Sequence, residues 1–176
     1  MESIIACGKK YRIIKLLGCG KGGYAYLAET EGRQAVVKKI HHEPCRYYSF
    51  GNKIEAEKRD YERLRKLGIR VAALIDIDED AEIVVKEYIA GNTVFQLVRD
   101  GGSADMYLDQ VREMAARAKE AGLNIDFFPT NFVIRDGLIV ARHTEIGANG
   151  KQFFHYNAEQ TAQSASMQHV FIGEAA

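Results

Sequence analysis

The sequence lacks tryptophan, and its 176 residues include only two prolines and three cysteines. The cysteines are odd in number and widely spaced, at Cys7, Cys19 and Cys45, and no two of them form a Cys-x-x-Cys pair. This spacing gives neither a disulfide framework nor a cysteine-based zinc site. The pattern is typical of a protein from a reducing compartment, and we expect a cytoplasmic location.

An excess of charge is also missing, since 24 Lys and Arg balance 24 Asp and Glu. A net charge of zero gives no indication of a nucleic-acid partner or of attraction to an anionic membrane. No apolar run approaches the roughly 18 residues of a membrane-spanning helix, and the first residues do not resemble a signal peptide. The sequence does contain 47% apolar residues, enough for the core of one compact domain or pair of lobes.

The first half of the chain contains short β-branched and aromatic runs separated by turn signals, which predict an antiparallel sheet. The predicted strands are residues 11–18, 24–30, 34–40, 71–78 and 82–89. Residues 53–67 are rich in helix formers and end before Gly68, so they predict a helix between the third and fourth strands.

The second half predicts fewer elements. Residues 104–121 have apolar residues at helical spacing and end before Gly122, which predicts a second long helix. Asp136-Gly137 predicts a hairpin turn between two short strands. From about residue 147 the composition shifts to Gln, Ala, Asn and Ser without a sustained period, and no structure is predicted there.

Glycines at positions 18, 20 and 23 form a Gly-x-Gly-x-x-Gly motif between two predicted strands. Glycine allows backbone N–H groups to approach phosphate oxygens closely. A dinucleotide-binding fold would need a helix after the motif, but "YAYLAET" predicts a strand. The motif alone fits a simple glycine-rich hairpin equally well, so other residues must decide between the two.

The order of residues after this motif favours phosphate binding. Lys38 follows the last glycine by 15 residues, and the acidic helix comes next. A lysine in this position could pair with nucleotide phosphates and be held by a carboxylate of the helix. Glu57 shares a helix face with Ile54 and Tyr61, so we expect it to point inward, whereas Lys39 should be solvated.

The run "GLNIDFFPTNFVI" places Asp126 and Asn131 five residues apart among apolar residues. A buried carboxylate or amide without a partner costs on the order of 1–3 kcal/mol. We therefore expect this run to be either a paired structural element or a site of chemistry.

With the glycine motif, the lysine strand, the acidic helix and "NIDFFPTN" in this order, the chain resembles the protein-kinase-like superfamily. It looks most similar to small bacterial serine/threonine kinase-like proteins related to RIO and lipopolysaccharide kinases and aminoglycoside phosphotransferases. The resemblance covers roughly residues 11–140. It implies an α+β, bilobal fold, with an antiparallel-sheet N-lobe and one helix over residues 1–90 and a reduced, mainly helical C-lobe over 91–176.

The resemblance implies an ATP-dependent phosphotransferase that transfers the γ-phosphate to a hydroxyl, either of protein Ser or Thr or of a small molecule. Lys38 and Glu57 would form its catalytic ion pair. Nucleotide would be bound by Gly18, Gly20, Gly23 and Lys38, and adenine by backbone groups of Glu87 and Ile89.

By the same resemblance, Asp126 would orient or accept the proton of the attacking hydroxyl, and Asn131 would bind magnesium. The family has His two residues before this Asp and Lys two residues after it, where this chain has Asn124 and Phe128. These departures bear on the substrate class rather than on nucleotide binding.

A second acidic metal ligand, the Asp of Asp-Phe-Gly, follows in the family, but here no Asp occurs after Asp136. Glu145 in "EIG" could replace it, while His143, in the alternative register, is a poor ligand for magnesium. Two alternatives therefore stay open, a metal site with Glu145 or an incomplete one. An incomplete site would make the chain a pseudokinase or nucleotide-binding scaffold, or a truncated kinase remnant, and the composition change after Val140 also fits the remnant. A third alternative is a generic α+β domain whose glycine motif is only a hairpin.

Overall fold

A computed structural model describes residues 2–20, 22–43, 51–142 and 146–147. The chain forms two compact units, the first made of Met1–Arg59 and Ala72–Tyr88 and the second of Asp60–Val71 and Ile89–Ala176. The main boundary thus falls two residues before the predicted one at 90, and residues 60–71 belong with the second unit. The physical reason is packing, because Leu64 and Ile69 contribute to the hydrophobic core of the second unit.

The first unit contains a six-stranded antiparallel sheet in the order β1-β2-β3-β4-β6-β5. Its strands are β1 (Ser3–Ala6), β2 (Lys9–Gly20), β3 (Gly23–Thr30), β4 (Arg33–Lys39), β5 (Leu74–Asp78) and β6 (Ile83–Glu87). Consecutive strands pair as hairpins from β1 to β4, and the hairpins β2–β3 and β3–β4 are those that the turn signals predicted. The non-local pairing is that of β4 with β6, in which Lys38 is opposite Val84 and Val36 is opposite Lys86.

Alternation along the strands gives the sheet two different faces. One face carries a core of buried residues, namely Ala6, Tyr11, Ala28, Ala35, Val37, Ile83 and Val85. On the other face, Val84 packs with Ile40 and with Ile54 of the following helix. This second face carries Lys38, which is opposite Val84 in the β4–β6 register. It also carries Lys86, which is two residues from Val84 on the same strand.

The sheet is curled, and the turn between β1 and β2 is tied to β5. The backbone N–H of Cys7 donates to Oδ2 of Asp78 over 2.7 Å. Lys9 Nζ lies 3.7 Å from Oδ2 of Asp76. The N–H groups of Cys7 and then Ala81 donate to Asp78 and hold its pKa below the usual value.

Helix α1 (Lys53–Lys66) begins after Asn52, whose side-chain oxygen accepts from the N–H of Glu55 over 3.2 Å. This is the capping geometry that Asn favours. The helix ends before Gly68, whose φ of +69° is the left-handed conformation typical of a helix end. The predicted helix over 53–67 and its stop signal are therefore confirmed.

The second unit contains two further helices and several short strands. In chain order these are α2 (Val94–Arg99), a 3-10 turn (Asp105–Tyr107), α3 (Leu108–Glu120), β7 (Asn124–Ile125), a 3-10 turn (Pro129–Asn131), β8 (Phe132–Arg135), β9 (Leu138–Ala141) and β10 (Ile146–Gly147). Strands β8 and β9 pair as the hairpin predicted at Asp136-Gly137, and β10 pairs with β7. Gly122 ends α3 at φ +65°, as expected for its role as a helix stop.

One hydrophobic core joins these elements. It includes Leu64 and Ile69, Val94 of α2 and the inner face of α3. Strands β7 to β9 contribute Ile125, Phe132, Ile139 and Ala141. Gln110 of α3 links this core to the β8–β9 hairpin. Its side chain accepts from the N–H of Ile139 over 3.0 Å and from Arg70 over 2.8 Å, and it donates to the carbonyl of Gly137 over 3.0 Å.

The predicted secondary structure differs from the observed one at four elements. Strands over 71–78 and 82–89 were too long, because Val71 makes only an isolated bridge to Ala141 and the strands begin at Leu74 and Ile83. Strand β1 and helix α2 were not predicted. The architecture is nevertheless α+β, with an antiparallel six-stranded sheet and few helices, as the sequence indicated. In the part of the chain that the structure describes, no helix is both long and apolar enough to cross a membrane.

Candidate functional site

Lys38 and Glu57 form an ion pair in the first unit. Lys38 lies on β4 and Glu57 on α1, and Lys38 Nζ donates to Oε1 of Glu57. Both residues are buried, as are Ile54 and Tyr61 on the same helix face, whereas Lys39 is exposed. The structure thus brings together the two residues that the sequence predicted to meet, and for the predicted reason of helix and strand periodicity.

A second lysine, which was not predicted, contacts the same carboxylate. Lys86 Nζ of β6 donates to Oε2 of Glu57 over 2.9 Å. Lys38, Glu57 and Lys86 are only 9%, 7% and 6% exposed. The three residues form what we call the lysine–glutamate cluster, in which each oxygen of one carboxylate accepts from a different lysine.

The electrostatics of this cluster favour an ionised Glu57. Burial alone would raise the pKa of Glu57, since it disfavours the charged form. The positive charges of Lys86 and Lys38, together with the hydrogen bonds they donate, outweigh burial and hold the pKa of Glu57 well below its usual range. Glu57 is therefore a carboxylate at any pH at which the protein is expected to work.

The glycine motif forms the tip of the β2–β3 hairpin, where Gly20 is opposite Gly23. Gly23 has a φ of +143° and lies against the backbone of β4, so its lack of a side chain is required by the fold. Gly18 and Gly20 differ, because a Cβ added to either would have no atom within 4 Å. The fold therefore gives no steric reason for glycine at these two positions, and the space above them is open.

His41 contacts this hairpin tip, which the sequence did not predict. The Nε2 atom of His41 lies 2.9 Å from the carbonyl oxygen of Gly20, and its ring packs against Tyr24 with 5.1 Å between centroids. The Tyr24 hydroxyl donates to Glu43 over 2.7 Å, and this hydrogen bond, with the charge of Glu43, raises the pKa of Tyr24 to about 12.

The two residues predicted to contact adenine lie in different units. Glu87 is the last residue of β6, and its backbone N–H donates to the carbonyl of Ala73 over 2.8 Å. A contact of Glu87 with a base would therefore use its carbonyl oxygen rather than its N–H. Ile89 belongs to the second unit and is buried.

Asp126 and Asn131 both lie in the second unit. Asp126 precedes the 3-10 turn Pro129–Asn131 by three residues, and Asn131 is the last residue of that turn. Asp126 is exposed and Asn131 is half-buried, so neither is a fully buried polar group. Their apolar neighbours Ile125, Pro129 and Phe132 are buried and hold the segment against the interior of the unit. This segment between β7 and β8 thus presents its polar residues at the surface of the unit.

A hydrogen bond fixes the orientation of Asn131 relative to Asp126. Asn131 Nδ2 donates to the backbone carbonyl of Asp126 over 3.2 Å. The backbone carbonyl of Asn131 accepts from the N–H of Arg142 over 2.9 Å, which ties the segment to the end of β9. With the amide nitrogen committed in this way, the amide oxygen of Asn131 is the atom left to meet a cation.

The predicted metal ligands are only partly within the structure. Glu145 and His143 lie outside the described residues. Within residues 2–20, 22–43 and 51–142, no three His, Cys, Asp or Glu side chains form a group that could hold a metal ion. The oxygen-rich chemistry of Asp126 and Asn131 fits a hard cation such as magnesium.

Comparison with known proteins adds no relative to this picture. No family model matches the sequence, and no curated protein matches it.

Proposed function

We propose that this protein is an ATP-dependent phosphotransferase that transfers the γ-phosphate of ATP to a hydroxyl, most simply that of a protein Ser or Thr. In this proposal the first unit is the N-lobe of a kinase-like bilobal fold and the second unit is its reduced C-lobe. ATP and magnesium are the cofactors, and the acceptor is a protein or a small molecule that carries a hydroxyl.

The observation that carries the proposal is the buried ion pair between Lys38 of β4 and Glu57 of α1. The same sheet carries the glycine motif at the tip of the β2–β3 hairpin. A buried lysine is costly unless a counter-charge is close, and charged groups in such unusual environments often cluster at functional sites. Lys38 is suited to contact the α- and β-phosphates, and Glu57 keeps its ammonium group in place. Gly18 and Gly20 support the same role, because open space above them lets backbone N–H groups approach a phosphate.

The second unit would supply the groups that act on the acceptor. Asp126 is exposed, so its carboxylate can meet a substrate hydroxyl and orient or accept its proton. Asn131, with Nδ2 bonded to the backbone of Asp126, would offer its amide oxygen to magnesium. When bound, magnesium would neutralise charge on the phosphates during transfer. Glu145 is the candidate for the second protein ligand.

The proposal is tested by measuring ATP binding and phosphate transfer with four proteins. Wild type should be stabilised against heat by millimolar ATP with magnesium, since a ligand that binds only the folded state stabilises it. Lys38→Met should lose this stabilisation, whereas Lys39→Met, a change of the exposed neighbouring lysine, should keep it. Asp126→Asn should bind ATP but transfer no γ-phosphate to a generic protein substrate or to water.

Two results would contradict the proposal in different ways. If ATP stabilises none of the four proteins, the glycine motif is only a hairpin and the chain is a generic α+β domain. If wild type binds ATP but transfers phosphate no faster than Asp126→Asn, the protein is a nucleotide-binding scaffold.

A further inference from the structure

Lys86 is the one member of the lysine–glutamate cluster that the proposed reaction does not use. It lies on β6, two residues from the partner of Lys38 in the β4–β6 register, so both lysines project from the same face of the sheet. Its ammonium group is 2.9 Å from Oε2 of Glu57, and its side chain is 8% exposed. A lysine so deeply buried requires a counter-charge, and Glu57 provides it.

Because two lysines contact one carboxylate, Lys38 can move toward another anion at a lower electrostatic cost. In a cluster of only Lys38 and Glu57, a move of the Lys38 ammonium toward a phosphate would weaken the only ion pair of a buried carboxylate. Leaving such a carboxylate without its partner is strongly unfavourable. With Lys86 on the other oxygen, Glu57 keeps a counter-charge and a fixed orientation while Lys38 is shared with another anion.

We propose that Lys86 is a positioning residue that orients and neutralises Glu57, so that Lys38 can contact the phosphates of a nucleotide at little cost to the ion pair. The identity of the ligand in this inference rests on the proposed function. The role of Lys86 rests only on the contacts within the lysine–glutamate cluster. It assigns to Lys86 no contact with the nucleotide itself, and that distinction makes it testable.

The first measurement compares the binding of magnesium-ATP and of adenosine by calorimetry. Lys86→Met keeps the length of the side chain and removes its charge, and it should weaken ATP binding about tenfold, a size typical of coupling between contacting charged groups. Adenosine, which lacks phosphates, should bind with unchanged affinity. Lys86→Arg, which keeps the charge, should restore most of the ATP affinity. An equal loss for adenosine and ATP would overturn the proposal, because Lys86 would then contact the base or the ribose.

The second measurement asks whether Lys86 acts through Glu57. In a Glu57→Gln background, Lys86→Met should change ATP affinity by less than about twofold, because the group it acts on is already neutral. The Glu57→Gln variants leave the buried ammonium of Lys38 without the carboxylate, so thermal unfolding first shows that each is folded at the temperature of the binding experiment. An undiminished effect of Lys86→Met in this background would show that Lys86 acts on the ligand directly, and would overturn the proposal.

A third measurement needs no ligand and separates this inference from the proposed function. The carboxyl carbon of Glu57 is titrated by NMR in wild type and Lys86→Met. Loss of Lys86 should raise the pKa of Glu57, since Lys86 is one of the two charges that lower it. Failure of wild type to bind ATP would overturn the proposed function and the ligand part of this inference. A Glu57 titration unchanged by Lys86→Met would overturn the orienting role, whether or not ATP binds.

Discussion

Gly23 lies so close to Lys39 that a Cβ atom on the glycine would be 2.3 Å from the backbone carbonyl oxygen of the lysine. The φ of Gly23, +143°, is in addition a conformation that residues with side chains rarely adopt. The two strands β3 and β4 pair at this point, with Tyr24 opposite Lys39. The last glycine of the motif is thus required by the sheet itself.

This relationship predicts different effects of alanine at the glycines of the hairpin. Gly23→Ala should lower the free energy of unfolding by at least about 1–3 kcal/mol, because it combines backbone strain with a contact to backbone atoms that cannot turn away. Gly18→Ala and Gly20→Ala, which add a methyl group to open space, should change it by no more than about 0.5 kcal/mol. Urea unfolding of the three variants measures the difference. Equal destabilisation at all three positions would contradict it.

The same series separates folding from ligand binding. If the hairpin covers phosphates, Gly20→Ala should reduce ATP affinity although it leaves stability unchanged, because its methyl group would stand where a phosphate approaches. Binding of ATP to Gly20→Ala at wild-type affinity would count against phosphate binding at this tip.

The depressed pKa of Glu57 predicts a dependence of stability on pH. Because the pKa is lower in the folded than in the unfolded protein, the ionised cluster stabilises the fold fully above the ordinary carboxyl pKa of about 4.3. This stabilisation is lost as the pH falls below that value toward the folded pKa. Wild type should therefore lose stability between about pH 5 and pH 3 more steeply than Glu57→Gln does.

At pH 7, Glu57→Gln should itself cost about 3–5 kcal/mol, because it leaves two buried lysines without the carboxylate. Glu62→Gln is the matched control, since Glu62 is exposed on the same helix. Urea unfolding at pH 7, 5 and 3 measures both effects. A pH profile of Glu57→Gln parallel to that of wild type would mean that other carboxylates govern acid unfolding.

The side-chain amide of Asn131 has two roles that can be separated by mutation: Nδ2 donates to the backbone of Asp126, and the amide oxygen is proposed to bind magnesium. Asn131→Asp keeps an oxygen for magnesium but removes the Nδ2 donor to the Asp126 carbonyl. It should retain metal-dependent ATP binding and lose transfer activity about tenfold or more, because a small misplacement of a catalytic group is costly. Asn131→Ala should lose both. Steady-state transfer assays and magnesium titrations distinguish them, and identical behaviour of the two variants would show that the donor has no role.

We expect a change of Gln110 to lower the stability of the fold without a direct effect on the proposed site. Its three hydrogen bonds join α3, Arg70 and the β8–β9 hairpin in the second unit. Gln110→Ala should lower the free energy of unfolding by about 1–3 kcal/mol, because it leaves partly buried donors and acceptors without partners. Lys119→Ala, an exposed change on the same helix, is the control and should be nearly neutral. If the two variants are equally stable, the network does not contribute to the fold.

The sequence predicted the parts of this molecule that depend on local pattern. Strands over 11–18, 24–30 and 34–40, the helix that ends at Gly68 and the hairpin at Asp136-Gly137 all have periodicity or turn residues that can be read directly. Helix α2 also had a readable signal that was missed, since Thr93 and Gln96 form a capping box. Strand β1 has only four residues and is defined by its pairing with β2 rather than by its own pattern.

The parts of the candidate site that depend on local pattern were also predictable from the sequence. Periodicity alone placed Glu57 inward and Lys39 outward, and the structure agrees on both. Lys86 could not be found in this way, because its contact with Glu57 depends on the register between β4 and β6, which are separated by a helix and another strand. The exposure of Asp126 was likewise hidden, since apolar neighbours in sequence do not reveal on which side of a turn a residue lies.

The tie between the β1–β2 turn and β5 has a consequence for how copies of this protein behave in concentrated solution. Strands β1 and β5 are the two edges of the sheet, and an edge strand can recruit a strand from another molecule. Here β5 carries Asp78, which accepts from Cys7 in the β1–β2 turn, and Asp76, which pairs with Lys9 at the start of β2. An approaching strand would meet acidic side chains and a turn rather than a bare ladder of N–H and carbonyl groups. We therefore expect the β5 edge of the sheet to resist pairing with a strand of another molecule.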